Sequence, residues 1–209
     1  MDNITFYKFV QLNDLPSLKE NILDFCNENN IKGKILIATE GISGYLTGKK
    51  EDIAKYEEFM HSIKEFKELW FKHNPTSKFN SKRTLVKIRK EIITFKHDYD
   101  IKKTGKYLSP KELDSFYENK EDFIIIDTRN DYEYEQGHFK DAIKINSKEF
   151  SEFPKEVSKL KKLAKGKKVV TYCTGGVRCE KATAWMKDNG FDDVYQLDGG
   201  VINYGIEQG

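Results

Sequence analysis

Apolar and polar positions alternate along Ile4-Thr5-Phe6-Tyr7-Lys8-Phe9-Val10, a run of strand-forming residues that predicts a first strand. The period then lengthens. Leu15, Leu18, Ile22, Leu23 and Phe25-Cys26 form an apolar stripe at helical spacing, with Asp14 as its cap, Pro16 near its start and Asn29-Asn30 at its stop. Cys26 lies on that stripe and reads as core. Residues 34–39 predict a second strand, 40–44 a turn and Tyr45-Leu46-Thr47 a third strand. Ile53, Tyr56, Phe59, Met60 and Ile63 mark a second helix, and the alternation over 84–93 predicts the closing strand, with a short extra strand at 68–72. This β-α-β-β-α-β order is that of a ferredoxin-like α+β domain.

Past Phe95 the pattern lapses into the polar run 96–106, which reads as a connector between a first domain at 1–95 and a second at 107–209. Ser109 caps the next predicted helix and Pro110 opens it. Phe123-Ile124-Ile125-Ile126-Asp127 is a buried strand, followed by an acidic stretch through Asp131, Glu133 and Glu135 that reads as a solvated helix face. Residues 168–172 form another apolar strand, Ala182, Ala184, Trp185 and Met186 continue a helix to Asn189-Gly190, and 194–197 is the last strand.

Charge changes the picture through its distribution, because 36 Lys and Arg nearly balance 34 Asp and Glu. Eleven cations against three acids fall between Lys72 and Lys106, an excess suited to a polyanion. Within 72–83 the cations interleave with aromatic residues, including Phe79 and the neighbouring Trp70. Such a surface would contact phosphates through Lys78, Lys82, Arg83 and Arg89 while stacking a base; the alternative is a solvated basic loop. Lys155 to Lys168, with seven Lys to one Glu, extends the basic surface or forms a solvated helix face. No apolar run approaches the roughly 20 residues of a membrane span, and the N-terminus lacks a secretory pattern. Three cysteines fit a reducing cytoplasm. The histidines and cysteines lack metal-ligand spacing, and no nucleotide-binding glycine loop occurs, so no metal and no cofactor is expected.

The chemistry concentrates at Tyr172-Cys173-Thr174-Gly175-Gly176-Val177-Arg178-Cys179-Glu180-Lys181. Cys173 ends a strand where a helix begins, so the backbone N–H groups of Thr174, Gly175, Gly176 and Val177 converge near its sulfur and favour a thiolate. Arg178 adds a permanent charge. Cys179 would resolve a persulfide, assist the chemistry or merely pack. The six-residue ring from Cys173 to Arg178 is one residue short of a tyrosine-phosphatase loop and suits sulfur better than phosphate.

This loop resembles the active-site loop of the rhodanese family, as do the Asp127-Thr128-Arg129 strand end, the Gly137-His138-Phe139-Lys140-Asp141-Ala142 turn and Leu197-Asp198-Gly199-Gly200. Asp141 departs from the glycine common there. The resemblance implies an α/β rhodanese domain with a mostly parallel sheet. Asp127 and Arg129 are expected to brace the loop, and His138 to be structural. With residues 32–48 and the 82–92 strand included, the chain is similar to the rhodanese-domain tRNA uridine hydroxylases, which place an acylphosphatase-like domain first. That family implies oxygen-dependent 5-hydroxylation of the wobble uridine, position 34 of tRNA, with O2 as cosubstrate, tRNA as partner and an essential cysteine in this loop; the loop's own residues make Cys173, Arg178 and Cys179 the candidate catalytic set. Its members usually continue into a Cys-containing tail; if that tail helps bind tRNA or an activating group, a chain stopping at Gly209 is expected to bind or react differently. The competing expectations are a thiosulfate sulfurtransferase or persulfide carrier, and a non-catalytic RNA-binding module.

Overall fold

The Asp14 carboxylate accepts the Ser17 N–H at 3.3 Å and starts the first helix, so local capping fixes where the opening strand hands over. In the computed structural model, which describes residues 1–208, two compact units divide between Ile93 and Thr94. The first contains β1 (Asp2–Phe9), α1 (Leu15–Glu28), β2 (Lys32–Ala38), β3 (Gly41–Gly48), α2 (Lys50–Ser62), β4 (Phe71–Pro75) and β5 (Thr84–Ile88). Its sheet runs β4-β1-β3-β2-β5; the first three pairings are antiparallel and β5 runs parallel to β2. Alternate residues Ile4, Phe6, Ile35, Ile37, Ile42 and Leu46 are buried with Ile22, Cys26, Ile53, Tyr56 and Met60 in one core.

The ferredoxin-like order holds, with two of its strands reassigned. Phe71–Pro75, not the segment 84–93, closes the β-α-β-β-α-β series beside β1. Phe71 decides this, because its ring packs edge-on against Phe6 with centroids 5.2 Å apart. β5 is an addition on the opposite edge and ends at Ile88, and residues 41–44 belong to β3 rather than to a turn.

The second unit contains β6 (Lys106–Leu108), α3 (Pro110–Glu118), β7 (Phe123–Asp127), α4 (Asp131–Glu135), β8 (Ile143–Lys144), α5 (Phe153–Val157), α6 (Lys161–Ala164), β9 (Lys168–Tyr172), α7 (Val177–Asp188), β10 (Asp193–Leu197) and α8 (Gly200–Gln208). Ser109 and Glu112 cap α3 reciprocally. The sheet is wholly parallel in the order β6-β10-β9-β7-β8, which makes β9 its central strand. Val169, Val170, Thr171 and Tyr172 are all buried, as expected of a strand covered on both faces. Ligands of such sheets bind outside the carboxyl ends of the strands, where Cys173 follows β9.

Residues 96–106 are not a free connector. Phe95 is buried against Phe150, Thr104 Oγ1 donates to Glu180 Oε2 at 2.8 Å, and Gly105 N–H donates to Thr183 Oγ1 at 2.8 Å. Glu180 also accepts from Tyr107 at 2.9 Å and Gln196 at 3.1 Å, so the polar composition of this stretch serves a buried carboxylate on α7. Among the described residues no helix is long and apolar enough to cross a membrane.

Glu180→Ala removes the acceptor of three donors, so urea unfolding followed by fluorescence should show a loss of about 1–3 kcal/mol. The exposed Lys102→Ala, in the same stretch, should stay within about 0.5 kcal/mol of the parent chain.

Candidate active site

β9 delivers Cys173 to the carboxyl edge of the sheet, and the chain turns over Thr174-Gly175-Gly176 into α7. Gly176 takes φ 103°, a left-handed conformation that a side chain would strain, and its N–H donates to Cys173 Sγ at 3.0 Å. Cys173 has no exposed surface. Burial is the largest influence on its thiol and raises its pKa. It is outweighed by the hydrogen bond from Cys179, the Arg178 charge and the N–H groups of Cys179 and Arg178, which together hold the thiol well below its ordinary value. Cys179 is driven the other way, first by burial and then by the anion beside it. Cys173 is therefore the thiolate of the pair and Cys179 the proton-bearing donor. Cys26, buried without such donors, is pushed up to about 12.

Two sets of bonds hold this loop. Val201 N–H donates to Cys173 O at 2.9 Å and Ile202 N–H to Thr174 O at 3.1 Å, so the first turn of α8 clasps the loop carbonyls. Gly200 permits that approach, because a Cβ there would lie 2.3 Å from Cys173 O. On the other side Arg129 Nη2 donates to Asp127 Oδ2 at 2.7 Å and to Gly137 O at 2.6 Å, and Tyr172 OH donates to Asp127 Oδ2 at 2.6 Å. Asp127 and Arg129 thus anchor the residue before Cys173 and touch neither sulfur through these bonds. Thr128 ties β7 to the site more directly: its N–H and Oγ1 both donate to Tyr172 O at 3.0 Å, and Oγ1 lies 3.7 Å from Cys179 Sγ.

Glu133 is the residue that pattern reading misplaced. Instead of facing solvent, it accepts from Arg178 Nη1 at 2.8 Å and Nη2 at 2.7 Å and from the Thr174 hydroxyl, while Arg178 Nη2 also donates to Thr174 Oγ1 at 3.1 Å. Burial raises the Glu133 carboxyl. The Arg178 and Thr174 hydrogen bonds and the Asn130 N–H prevail and hold it at about 2. Asp131 and Glu135 are exposed, as composition suggested for the whole stretch. The available signal was the spacing from Asp127: the chain leaves β7, caps at Asn130, and the first turn of α4 carries Glu133 to the carboxyl edge.

Arg178 therefore shares its charge between the thiolate and Glu133. The arrangement supplies a buried sulfur nucleophile, a neighbouring thiol proton and amide donors for an anion. His138 accepts no such role; its ring stacks on Tyr134 with centroids 3.9 Å apart and Nδ1 lies 3.2 Å from Tyr134 O. No group of three or more potential metal ligands occurs among the described residues. Lys78, Lys82, Arg83 and Arg89 belong to the first unit, where all four are exposed, whereas Lys72 is buried over the Tyr7 and Trp70 rings.

Residues 1–92 match the family described as UPF0176 acylphosphatase like domain, and residues 109–206 match the rhodanese-like domain. The chain is 43% identical over 205 residues to a tRNA uridine(34) hydroxylase of Staphylococcus epidermidis, covering 97% of this chain and 64% of that protein. It is 40% identical to the protein of the same name in Enterococcus faecalis, with 97% and 65% covered. The chain thus spans about 64% of the length of such curated relatives. Among solved structures, a rhodanese-like domain protein from Staphylococcus aureus is 25% identical over 49% of this chain and 94% of that one, with a TM-score of 0.41.

Iodoacetamide at pH 6 should label Cys173 ahead of Cys179 and Cys26 by peptide mapping; equal labelling of the three would contradict the assignment of the anion. Glu133→Gln leaves Arg178 wholly to the thiolate, so the pH profile of Cys173 alkylation should move toward acid. Because the Glu133 carboxyl is lowered from 4.5 to about 2 on folding, the stability it contributes is present above 4.5 and lost as pH falls toward 2. In Glu133→Gln the acid limb of a Tm-against-pH curve should flatten.

Proposed function

We propose that this chain, which belongs with the proteins joining a UPF0176 acylphosphatase-like domain to a rhodanese-like domain, carries out 5-hydroxylation of the wobble uridine at position 34 of tRNA. The observation that carries the reading is the 40–43% identity, across 97% of the chain, to proteins named tRNA uridine(34) hydroxylase. The site is compatible with it. Cys173 supplies the nucleophile, Cys179 the adjacent proton, and Arg178 with the loop amides stabilises negative charge developing beside the sulfur. O2 is the cosubstrate, one of its atoms becoming the hydroxyl and the other leaving as water with two electrons and two protons from an external reductant, and tRNA is the macromolecular partner. The exposed cations Lys78, Lys82, Arg83 and Arg89 favour such a polyanion, and tRNA places the reaction in the cytoplasm.

A second reading rests on the loop alone. A thiolate with a Gly176 N–H at 3.0 Å and an arginine nearby also stabilises a persulfide, which is the requirement of a thiosulfate sulfurtransferase or persulfide carrier.

Nucleosides of total tRNA from parent, deletion and Cys173→Ser cells separate these readings. The hydroxylase reading expects 5-hydroxyuridine derivatives to disappear in the deletion and to stay absent with Cys173→Ser. Their persistence in the deletion under all growth conditions would remove it, and turnover of thiosulfate with cyanide would then support the sulfurtransferase.

A further inference from the structure

The sheet of the first unit has one side covered by its helices and another that they leave open. Strand alternation sends Ile35, Ile37, Ile42 and Leu46 into the helix-covered core, so the intervening residues of β2 and β3 lie on the opposite side. Pairing sets them in rows: Tyr45 beside Lys34 beside Leu85, then Ser43 beside Leu36 beside Lys87. Arg89 follows β5 and is held by its N–H to Ile37 O at 2.8 Å. Tyr45 keeps 38% of its surface exposed, an aromatic ring in the middle of a sheet rather than in its core.

The loop 76–83 is fastened across one end of this side. Asn80 Nδ2 donates to Asn3 Oδ1 at 3.0 Å, Ser81 Oγ reaches Tyr45 OH at 3.4 Å, and Lys32 Nζ sits 4.3 Å above the Phe79 ring. These ties bring Lys82 and Arg83, both exposed, to the border of the rows. No Asp or Glu occupies an outward position on β2, β3 or β5, so the surface carries one sign of charge around a central aromatic ring.

We infer that this side of the β3-β2-β5 sheet seats a single-stranded segment of RNA, with Tyr45 stacked on an unpaired base and Lys34, Lys87 and Arg89 against its phosphates. Single sign of charge selects a polyanion, and an exposed ring adds affinity only where a base face is free, which a duplex withholds. The inference rests on the tRNA reading for the source of the RNA, because a wobble nucleotide lies in an unpaired loop. It adds the part of the substrate that the first unit grips and the residues that grip it.

Fluorescence anisotropy with the full chain tests this, using a labelled single-stranded oligoribonucleotide and a duplex of the same length. Single strand should bind more tightly, Tyr45→Ala should weaken it about 5- to 150-fold, and Tyr45→Phe should stay near the parent. Lys87→Ala and Arg89→Ala should each reduce the magnitude of the slope of log affinity against log salt by about 0.7. Thermal midpoints matching the parent show that these surface variants remain folded. Equal affinity for duplex, undiminished binding by Tyr45→Ala, or competition by polyglutamate as effective as by RNA at equal charge would overturn the inference. Single-strand binding that depends on Tyr45, in a protein whose deletion leaves tRNA hydroxylation intact, would support the inference while removing the wobble-uridine reading. Normal hydroxylation by a Tyr45→Ala chain with undiminished RNA affinity would do the reverse.

Discussion

A sulfur anion with no exposed surface is tenable only where protein donors replace its lost water, and that requirement organises the second unit. Cys173 meets it with donors of two kinds. The amides at the start of α7 are fixed by backbone geometry, and the Cys179 thiol and Arg178 guanidinium are fixed by side-chain packing. The first kind depends on Gly176 adopting its left-handed φ. The second places two cysteines side by side and lets only one of them ionise.

The framework of the second unit keeps those donors aimed. The parallel sheet puts β9 at its centre, β7 reaches across through Thr128, and the Asp127–Arg129 pair holds the Tyr172 hydroxyl. A buried ion pair of this sort contributes little net stability relative to an apolar substitute, but removing one partner exposes the full desolvation cost of the other. Its value here is positional: it fixes the residue adjoining the thiolate. Glu133 plays a parallel part for Arg178, restraining the guanidinium while moderating the charge that the sulfur experiences.

Local chemistry was the legible layer of the sequence. The turn into α7, the caps at Asp14 and Ser109 and the chain order of most strands follow from residues close in sequence, and the Asp127–Arg129 bracing is also a near-neighbour contact. Information carried by distant partners was not. The choice of Phe71–Pro75 over Thr84–Ile88 as closing strand depends on Phe71 meeting Phe6, and both segments alternate. Glu133 looked like one more acid in an acidic stretch because Arg178, its partner, lies 45 positions away. Residues 96–106 looked like a spacer because the carboxylate that accepts from Thr104 and Tyr107 belongs to α7. Polarity identifies a group that needs a partner, without saying whether that partner is water.

The clasp of α8 on Cys173 O and Thr174 O has a bearing on biosynthesis. Ribosomes make chains from the N-terminus, so Cys173 is joined to the chain before β10, the neighbour of its strand, and before Val201 and Ile202. During that interval the thiol resides in an unfinished sheet and keeps the weak acidity of a free cysteine. The cradle that makes Cys173 acidic is therefore completed by segments made after the cysteine itself, and until they are in place its sulfur stays largely protonated.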